Sequence, residues 1–311
     1  MPFSAHDQAG RAPALSPDAP REDFPLPPGA REGYATTNGV RFHYIAAGES
    51  GPLVVLLHGF PEFWYSWRAQ LPALAQRCRV VAPDLRGYNL SGRPARGYDI
   101  RTLCADIAGL IETFGEHDAM IVGHDWGGVI AWALAIRQPE RVRRLAILNA
   151  PHPGPFLREL RRLRQLRRSW YVAFFQLPWL PERTIARHDY AIIRALCAGV
   201  NRQQRRAVFT DEDAERFVAA IARPGALTAA LNYYRALVWH GPAALGPVRP
   251  ITAPTLVLWG ERDPALDIRL LDGLDRWVRL LEVRRFPTAG HWLNQERPDD
   301  VNAALLAYLG D

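Results

Sequence analysis

The sequence contains no lysine, so every basic side chain other than histidine is an arginine. This absence excludes Schiff-base catalysis and a P-loop lysine. Cysteine is scarce: Cys78, Cys104 and Cys197 are odd in number, far apart and form no C-x-x-C pair. We therefore expect reduced, buried thiols rather than a disulfide framework. No spacing of His, Cys, Asp or Glu indicates a metal site, and we expect no cofactor.

Long apolar segments are absent as well. No uninterrupted run approaches the ~20 residues of a membrane span, and residues 1–7 lack the basic start and apolar stretch of a signal peptide. We expect a cytoplasmic protein without a transmembrane segment. The chain has 311 residues, of which 48% are hydrophobic. A core of that size needs no disulfide or metal to stabilise it. The oligomeric state stays open, with a homodimer among the alternatives.

Positive charge is concentrated in one segment. The formal net charge is +6, and arginines cluster in residues 158–168, where leucines recur at helical spacing. One interpretation is a basic helix that binds anionic lipid, nucleic acid or a partner. The other is a helix whose leucines pack inward while its arginines are solvated. We favour the second and expect no nucleic-acid partner, because a nucleic-acid site would add aromatic or motif support.

The patterning of the chain predicts an α/β protein. Residues 1–30 are rich in Pro, Ala and charged residues and lack periodicity, which is typical of a flexible tail or a surface strap. Alternation in residues 39–45 suits a strand of an antiparallel pair. Apolar runs that alternate with helical sequence predict a mostly parallel sheet with strands buried on both faces. These runs are residues 53–57, 79–82, 120–122, 145–148, 255–259 and 280–283.

One long segment, residues 151–248, interrupts this alternation. It contains no strand-like run, only helical sequence rich in Arg and Trp. Pro151 opens the segment, and Gly241-Pro242 and Gly246-Pro247 close it. An all-helical insertion bounded in this way predicts a helical cap over the sheet. The core then comprises residues 31–150 and 249–311.

A candidate nucleophile lies in residues 123–128, which read G-H-D-W-G-G between a strand-like run and helical sequence. Small residues on both sides allow a sharp turn that lifts the middle side chain out of the end of the sheet. The middle residue is Asp125 rather than serine, which disfavours a serine esterase. An aspartate here can also be a simple helix cap. Its glycine neighbours and two partners downstream favour the nucleophile.

The partners are an acid and a histidine. Asp263 follows the run that ends at Trp259, and His291 follows the last run. The chain order nucleophile, acid, base at the ends of three strands is the order expected for a catalytic triad on this kind of sheet. Each residue taken alone would be unremarkable, since an Asp-Pro pair such as Asp263-Pro264 is often a helix cap.

Backbone amides are the predicted oxyanion hole. Residues 58–62 read H-G-F-P-E directly after the first apolar run. The N–H groups of Phe60 and Trp126 can together stabilise an oxyanion. We interpret His58 and His124 as buried structural residues, because a carboxylate nucleophile needs only one base.

Residues 58–67, 123–128 and 290–292 together resemble the soluble epoxide hydrolase family of the α/β-hydrolase fold, and the resemblance extends from about Tyr34 to the C-terminus. It implies an eight-stranded, mostly parallel sheet with an inserted helical cap. It also implies a cis peptide bond between Phe60 and Pro61.

The resemblance further implies two cap tyrosines that hold the epoxide oxygen. Tyr171 precedes a Phe-Gln pair, and Tyr234 lies in an N-x-Y-R segment. The alternative for each of them, and for Tyr233, is aromatic packing under the cap. We also expect the substrate to contact Phe60, Trp126 and Trp292.

The implied reaction uses only a small-molecule epoxide and water. Asp125 attacks an epoxide carbon and forms an ester, and the tyrosines stabilise and protonate the departing oxygen. His291, oriented by Asp263, then activates the water that releases a diol. The cap is rich in Trp, Phe and Leu, so we expect an apolar or aromatic epoxide.

Three alternatives remain. A haloalkane or haloacid dehalogenase would share Asp125 and His291, but haloalkane dehalogenases usually have asparagine at the position of Phe60. Fluoroacetate dehalogenases normally have arginine and an acid where this chain has Trp126 and Asn149. The alternative from another class is a non-catalytic binding protein on the same fold.

Overall fold

The computed structural model describes residues 21–160, 162–241 and 249–310. Their eight strands form one sheet in the order β1-β2-β4-β3-β5-β6-β7-β8. The pairs β1–β2 and β2–β4 are antiparallel and all other pairs are parallel, which confirms the predicted sheet. The strands are β1 (Arg31–Thr37), β2 (Val40–Ala47), β3 (Leu53–Leu57), β4 (Arg79–Pro83), β5 (Ala119–His124), β6 (Val142–Leu148), β7 (Thr255–Gly260) and β8 (Leu281–Phe286).

The central strands are buried on both faces, as their continuous apolar sequences predict. Every residue of β3, β5 and β7 is buried. Strand β8 is the exception, because it lies at the edge of the sheet and pairs only with β7. Leu280 and Val283 are exposed there, so the prediction of burial on both faces is wrong for this run.

Helices follow most strands of the core. Helix α3 is apolar along nearly its whole length and is buried against β5 and β6, as expected for a helix without a polar face. Asp99 caps α2 by accepting a hydrogen bond from the Thr102 amide. The core helices are α1 (Gln70–Leu74), α2 (Ile100–Thr113), α3 (Trp126–Arg137), α10 (Leu293–Glu296) and α11 (Pro298–Leu309).

Between β6 and β7 the described residues form helices and no strand of the sheet. We call α4–α9 the cap helices. Residues 242–248, which include Pro242, Gly246 and Pro247 of the predicted boundary, lie outside the described residues. The cap helices are α4 (Pro153–Glu159), α5 (Leu163–Arg168), α6 (Trp170–Phe174), α7 (Leu180–Gln204), α8 (Asp211–Ala222) and α9 (Ala226–His240).

The arginine-rich segment runs from the end of α4 through α5, and the two leucines of α5 do not pack inward. Leu163 is 71% exposed and Leu166 is 54% exposed, so the prediction that these leucines face the core is wrong. The buried position of α5 belongs to Gln165, whose amide nitrogen donates to the Ala265 carbonyl and whose oxygen accepts from the Asp267 amide. Polar contacts rather than apolar packing therefore hold α5 on the core.

Residues 1–20 of the predicted N-terminal tail lie outside the described part of the chain. Residues 21–30 lie against the core. The Glu22 carboxylate accepts hydrogen bonds from the Trp64 indole and the Asn89 amide, both at 2.8 Å. Phe24 packs on Phe63 with ring centroids 6.1 Å apart.

Two further expectations can be compared with the structure. The three cysteines are buried and unbonded, as predicted. In the described part of the chain, no helix combines the length and the apolar composition needed to cross a membrane.

Candidate active site

The site is built around Asp125, which lies between β5 and α3. Its backbone has φ 49° and ψ −119°, in the left-handed half of φ space that non-glycine residues rarely adopt. A Cβ on Gly127 would lie 2.1 Å from the Leu57 carbonyl oxygen, and one on Gly123 would lie 2.5 Å from the Gly127 carbonyl oxygen. These glycines therefore let α3 begin directly against the sheet and raise the Asp125 carboxylate above its carboxyl edge.

The Asp125 carboxylate has a donor on one oxygen and a cation near the other. The Phe60 amide donates to Oδ1 at 2.9 Å, and His291 Nε2 lies 3.6 Å from Oδ2. Burial alone would raise the pKa of Asp125, but interaction with His291, the charge of His124 and the Phe60 amide outweigh burial and lower it. The carboxylate is therefore ionised at neutral pH, as a nucleophile must be.

Asp263 is held in place on all sides. It is 2% exposed, and its Oδ1 accepts hydrogen bonds from the amides of Ala265 and Leu266 at 2.8 Å. Its Oδ2 lies 2.6 Å from His291 Nδ1 and accepts from the Asn149 side chain at 2.8 Å. The structure thus brings together the three residues of the predicted triad.

His291 lies between two carboxylates. Burial alone would lower its pKa, but the negative charges of Asp263 and Asp125 outweigh burial and raise the pKa well above the ordinary value. In the free protein the ring is an imidazolium ion. Its pKa depends on the charge of Asp125, so a change in that charge alters the proton affinity of His291.

Asn149 is a site residue that the sequence did not reveal. It follows β6 and is fully buried. Its side-chain nitrogen donates to Asp263, its oxygen accepts from the Gly260 amide at 2.9 Å, and both contacts fix the turn that carries the acid. Its position at the end of a strand is the sequence feature that indicates a site residue. From the sequence we treat this position only as the place where fluoroacetate dehalogenases have an acid.

Glu62 is the second residue that was missed. Its Oε2 accepts a hydrogen bond from the Gly59 amide and lies 2.9 Å from His124 Nδ1. The other ring nitrogen of His124 lies 2.9 Å from the His291 carbonyl oxygen. Burial would raise the pKa of Glu62, but the charge of His124 and its hydrogen bonds lower it. The Glu62–His124 pair thus connects three segments of the site: the one with Gly59 and Phe60, the turn with Asp125, and the one with His291.

His58 has no contact with the cavity. It is fully buried, lies 2.9 Å from the Gly59 carbonyl through Nδ1 and accepts from the Leu85 amide through Nε2 at 3.0 Å. These contacts match the predicted structural role. The Phe60–Pro61 peptide bond is cis, as the resemblance implies.

Two of the three candidate tyrosines face the site. Tyr171 on α6 and Tyr234 on α9 line the same cavity as Asp125, with ring centroids 5.9 Å apart. Burial and then the charge of Asp125 raise the pKa of both phenols, so both remain donors. Tyr233 is fully buried and donates to the Arg86 carbonyl at 2.7 Å, so it packs in the core instead.

A cavity of about 620 Å³ lies between the sheet and the cap helices, and Asp125, His291, Tyr171 and Tyr234 line it. Of the residues expected to contact substrate, Phe60 and Trp292 line this cavity. Trp126 borders a second, smaller cavity of about 60 Å³, which shares Asp125, Tyr171 and Tyr234 with the first. The remaining lining of the large cavity is mainly aromatic and aliphatic, which suits an apolar ligand.

One buried cluster away from the cavity contains metal-ligand types. Glu22, His43 and Asp84 are close enough to hold an ion. However, His43 Nδ1 lies 2.6 Å from Asp84 and its Nε2 lies 3.0 Å from Glu32. Burial lowers its pKa, but the charge of Asp84 and the hydrogen bonds with Asp84 and Glu32 together outweigh burial and raise the pKa to about 9. Because a protonated ring has no lone pair to offer, we assign no metal to this cluster.

Comparison with known proteins gives one consistent family. A family model described as alpha/beta hydrolase fold matches residues 52–189. The chain is 40% identical over 281 residues to Epoxide hydrolase 4 of Homo sapiens, covering 88% of this chain and 76% of that protein. It is 43% identical over 282 residues to AB hydrolase superfamily protein YfhM of Bacillus subtilis, covering 89% and 96%.

A solved structure agrees with these relatives. The crystal structure of Bacillus megaterium epoxide hydrolase in complex with an inhibitor superimposes with a TM-score of 0.83. It is 33% identical, and the match covers 89% of this chain and 100% of that chain. The similarity therefore extends over the sheet and the cap helices together.

Proposed function

The chain belongs to the epoxide hydrolase family of the α/β-hydrolase fold, and on that basis we propose that it opens an apolar or aromatic epoxide to a vicinal diol through an ester on Asp125. One observation carries the proposal. An ionised carboxylate, two phenol donors and a histidine that is paired with a buried carboxylate face a single apolar cavity. We further propose that residues 151–248 act as the cap and that residues 31–150 and 249–311 act as the catalytic core.

The first step is alkylation of Asp125. Oδ2 attacks an epoxide carbon, because Oδ1 is occupied by the Phe60 amide. The carbon–oxygen bond of the ring breaks, and its electron pair goes to the epoxide oxygen. Tyr171 and Tyr234 hydrogen-bond this oxygen, and one of them supplies the proton. Oδ1 becomes the carbonyl oxygen of the ester.

The second step is hydrolysis of the ester. Once Asp125 is esterified, His291 loses one of its two neighbouring charges and its pKa falls. The ring releases a proton, which balances the one that the tyrosine gave up, and then takes a proton from water. The hydroxide attacks Cγ, the amides of Phe60 and Trp126 stabilise the charge on Oδ1, and the Cγ–Oδ2 bond breaks. The departing Oδ2 takes the proton of the hydroxyl group that was added to Cγ, so the diol leaves with Oδ2 and the water oxygen remains in the regenerated carboxylate.

This mechanism predicts where a labelled oxygen goes. With protein in excess over a styrene-type epoxide in water enriched in the heavy oxygen isotope, a single turnover should label Asp125 and leave the diol unlabelled. Mass spectrometry of the peptide that contains Asp125 and of the diol measures both. His291→Gln is the matched variant, and it should accumulate the unhydrolysed ester on the same peptide. Label in the diol alone, or wild-type turnover by Asp125→Ala, would contradict the ester.

The two tyrosines favour this reaction over dehalogenation with the same nucleophile. A departing halide needs no proton, whereas an alkoxide does, and Tyr171 and Tyr234 supply O–H donors beside Asp125. A panel of epoxides and haloalkanes distinguishes the two, since the first gives diols and the second releases halide. A protein that only binds ligands would turn over neither set.

A further inference from the structure

We propose that the cap docks on the surface of an anionic phospholipid bilayer, with the mouth of the large cavity turned toward the lipid. The docking face is defined here as the exposed apolar side chains of the cap helices and their connections, together with the arginines of residues 158–160 and 162–187. The central apolar members of this docking face are Leu163, Leu166, Trp170, Trp179 and Trp239. The docking itself does not depend on the reaction proposed above.

The docking face exposes large apolar side chains to an unusual degree. Trp239 is 74% exposed, Trp179 is 68% exposed and Trp170 is 65% exposed. Outside the cap, only two large hydrophobic side chains among the described residues are exposed. They are Leu280 and Val283, at the edge strand β8. Isolated exposed hydrophobic residues are ordinary, but a concentration of them on one part of a molecule marks an interaction site.

Three exposed apolar side chains of the docking face lie at the mouth of the cavity. Trp170, Ile192 and Leu196 line the cavity and are also exposed, which locates the mouth among them. Arg168 at the end of α5 lines the same cavity, and the exposed Leu163 and Leu166 lie on this short helix.

Trp239 lies close to Trp179 because Arg235, in the same helix as Trp239, contacts the segment that precedes Trp179. Arg235 on α9 donates to the carbonyl groups of Phe175 and Leu177 at 2.9 and 3.1 Å. It also pairs with Glu182 at 2.7 Å. The end of α9, which carries Trp239 one turn beyond Arg235, is thereby fixed beside the connection that carries Trp179.

Charge identifies the occupant as an anionic surface. Residues 158–187 contain eight arginines and two carboxylates, so this stretch alone has a formal excess that equals the net charge of +6 of the whole chain. The side chains of Arg162 and Arg164 pair with Glu159 and Asp267 but are still 54% and 61% exposed. Arg183 lies over the Trp179 ring at 5.9 Å. Arginines interleaved with tryptophan and leucine are the composition of surfaces that lie on anionic membranes.

Two other occupants fit less well. Nucleic acid would satisfy the arginines but leave Leu163 and Leu166 in water, whereas the acyl boundary of a bilayer takes up both kinds of group. A second copy of the chain would bring two strongly basic surfaces together, which is repulsive. Apolar epoxides dissolve in bilayers, so a cavity that opens on the docking face would receive them there. Only this last consequence rests on the proposed function.

The test is co-sedimentation of the full chain with extruded vesicles. One set contains phosphatidylcholine alone, and the other contains equal parts of phosphatidylcholine and phosphatidylglycerol. We expect binding to the anionic vesicles, little binding to the neutral ones, and release at high salt because the arginine contribution is screened. Equal binding to both sets, or binding to neither, would overturn the proposal.

Matched variants distinguish the docking face from charge elsewhere. Leu163→Gln combined with Leu166→Gln should weaken vesicle binding about tenfold, since two exposed apolar side chains no longer insert. Arg167→Gln and Arg187→Gln should each weaken it about fivefold. The controls are Leu280→Gln and Arg279→Gln, also exposed but at the amino end of β8, away from the cap, and they should bind as the wild type does.

Two further outcomes would contradict the docking. Wild-type binding by the leucine double variant would overturn it. So would sedimentation-velocity data in which that variant converts a dimer to a monomer, because the docking face would then belong to a second copy. All variants should retain turnover of a water-soluble epoxide, which verifies folding. A wild-type chain that binds anionic vesicles but turns over no epoxide would contradict the proposed function and leave the docking in place.

Discussion

At the scale of single residues, the charge state of His291 is governed by its two acidic neighbours. Asp263 contacts Nδ1 at 2.6 Å and Asp125 lies 3.6 Å from Nε2. In the proposed mechanism, Asp263 orients the ring throughout, whereas Asp125 loses its charge when the ester forms. The proposal therefore requires that the same histidine is protonated in the resting site and acts as a base afterwards.

This dependence can be measured without substrate. Asp125→Asn removes one charge at nearly constant shape, and we expect the pKa of His291 to fall because one of the charges that raise it is gone. NMR titration of the His291 ring measures the change, and intact mass confirms that the new amide has not hydrolysed. Tyr171→Phe is the control, because it alters the same cavity without changing charge. An identical His291 pKa in wild type and Asp125→Asn would contradict the coupling.

At the scale of elements, the turn between β5 and α3 depends on close backbone approach. Gly127→Ala would place its Cβ 2.1 Å from the Leu57 carbonyl oxygen. The start of α3 must move to relieve this contact, which should lower the free energy of unfolding by about 3 kcal/mol and displace the Asp125 carboxylate. Urea denaturation and epoxide turnover measure the two effects.

A glycine in a cap helix provides the control. A Cβ on Gly199 would find its nearest heavy atom at 3.9 Å, so Gly199→Ala should be neutral or raise the free energy of unfolding by up to ~1 kcal/mol. If both variants unfold at the same urea concentration, crowding at Gly127 is not what sets the geometry of the turn.

The sequence predicts elements best where one pattern has one structural solution. Continuous apolar runs such as β3 and β5 fit only the interior of a parallel sheet. The edge strand β8 has a similar run, but its burial depends on how many strands flank it. The number of flanking strands is set by the tertiary fold, and the local sequence does not encode it. The same holds for α5: its leucine spacing predicts a buried face, whereas the hydrogen bonds of Gln165 decide which side faces the core.

Site residues divide in the same way. Asp125, Asp263 and His291 could be predicted because each follows a strand in a fixed chain order, and the fold brings strand ends together. Asn149 and Glu62 act by orienting other groups, through contacts with residues 114 and 62 positions away. No local pattern encodes such contacts, so they become visible only when the chain is folded.

At the scale of the whole molecule, one buried charge cluster connects parts that are distant in sequence. His43 lies in the sheet between Asp84 and Glu32, and Glu22 reaches the cluster from the N-terminal segment. From the cap side, Arg223 donates to Asn89, which in turn donates to both Glu22 and Asp84. The charge of His43 therefore compensates carboxylates on several parts of the fold at once.

The pKa of His43, about 9, gives this cluster a pH signature. A histidine pKa that is raised in the folded state contributes stability that is complete below the unfolded value of ~6.5 and is lost as pH rises through the folded value. Because of His43, we expect the free energy of unfolding to be about 3 kcal/mol lower at pH ~9 than at pH ~6.5. Urea denaturation at several pH values across this range measures the change. Glu32→Gln removes one neighbouring charge and should shift the loss to lower pH, whereas Glu282→Gln, exposed on β8, should leave the profile unchanged. A profile that stays flat between these pH values, or the same shift in both variants, would show that His43 is not the group responsible.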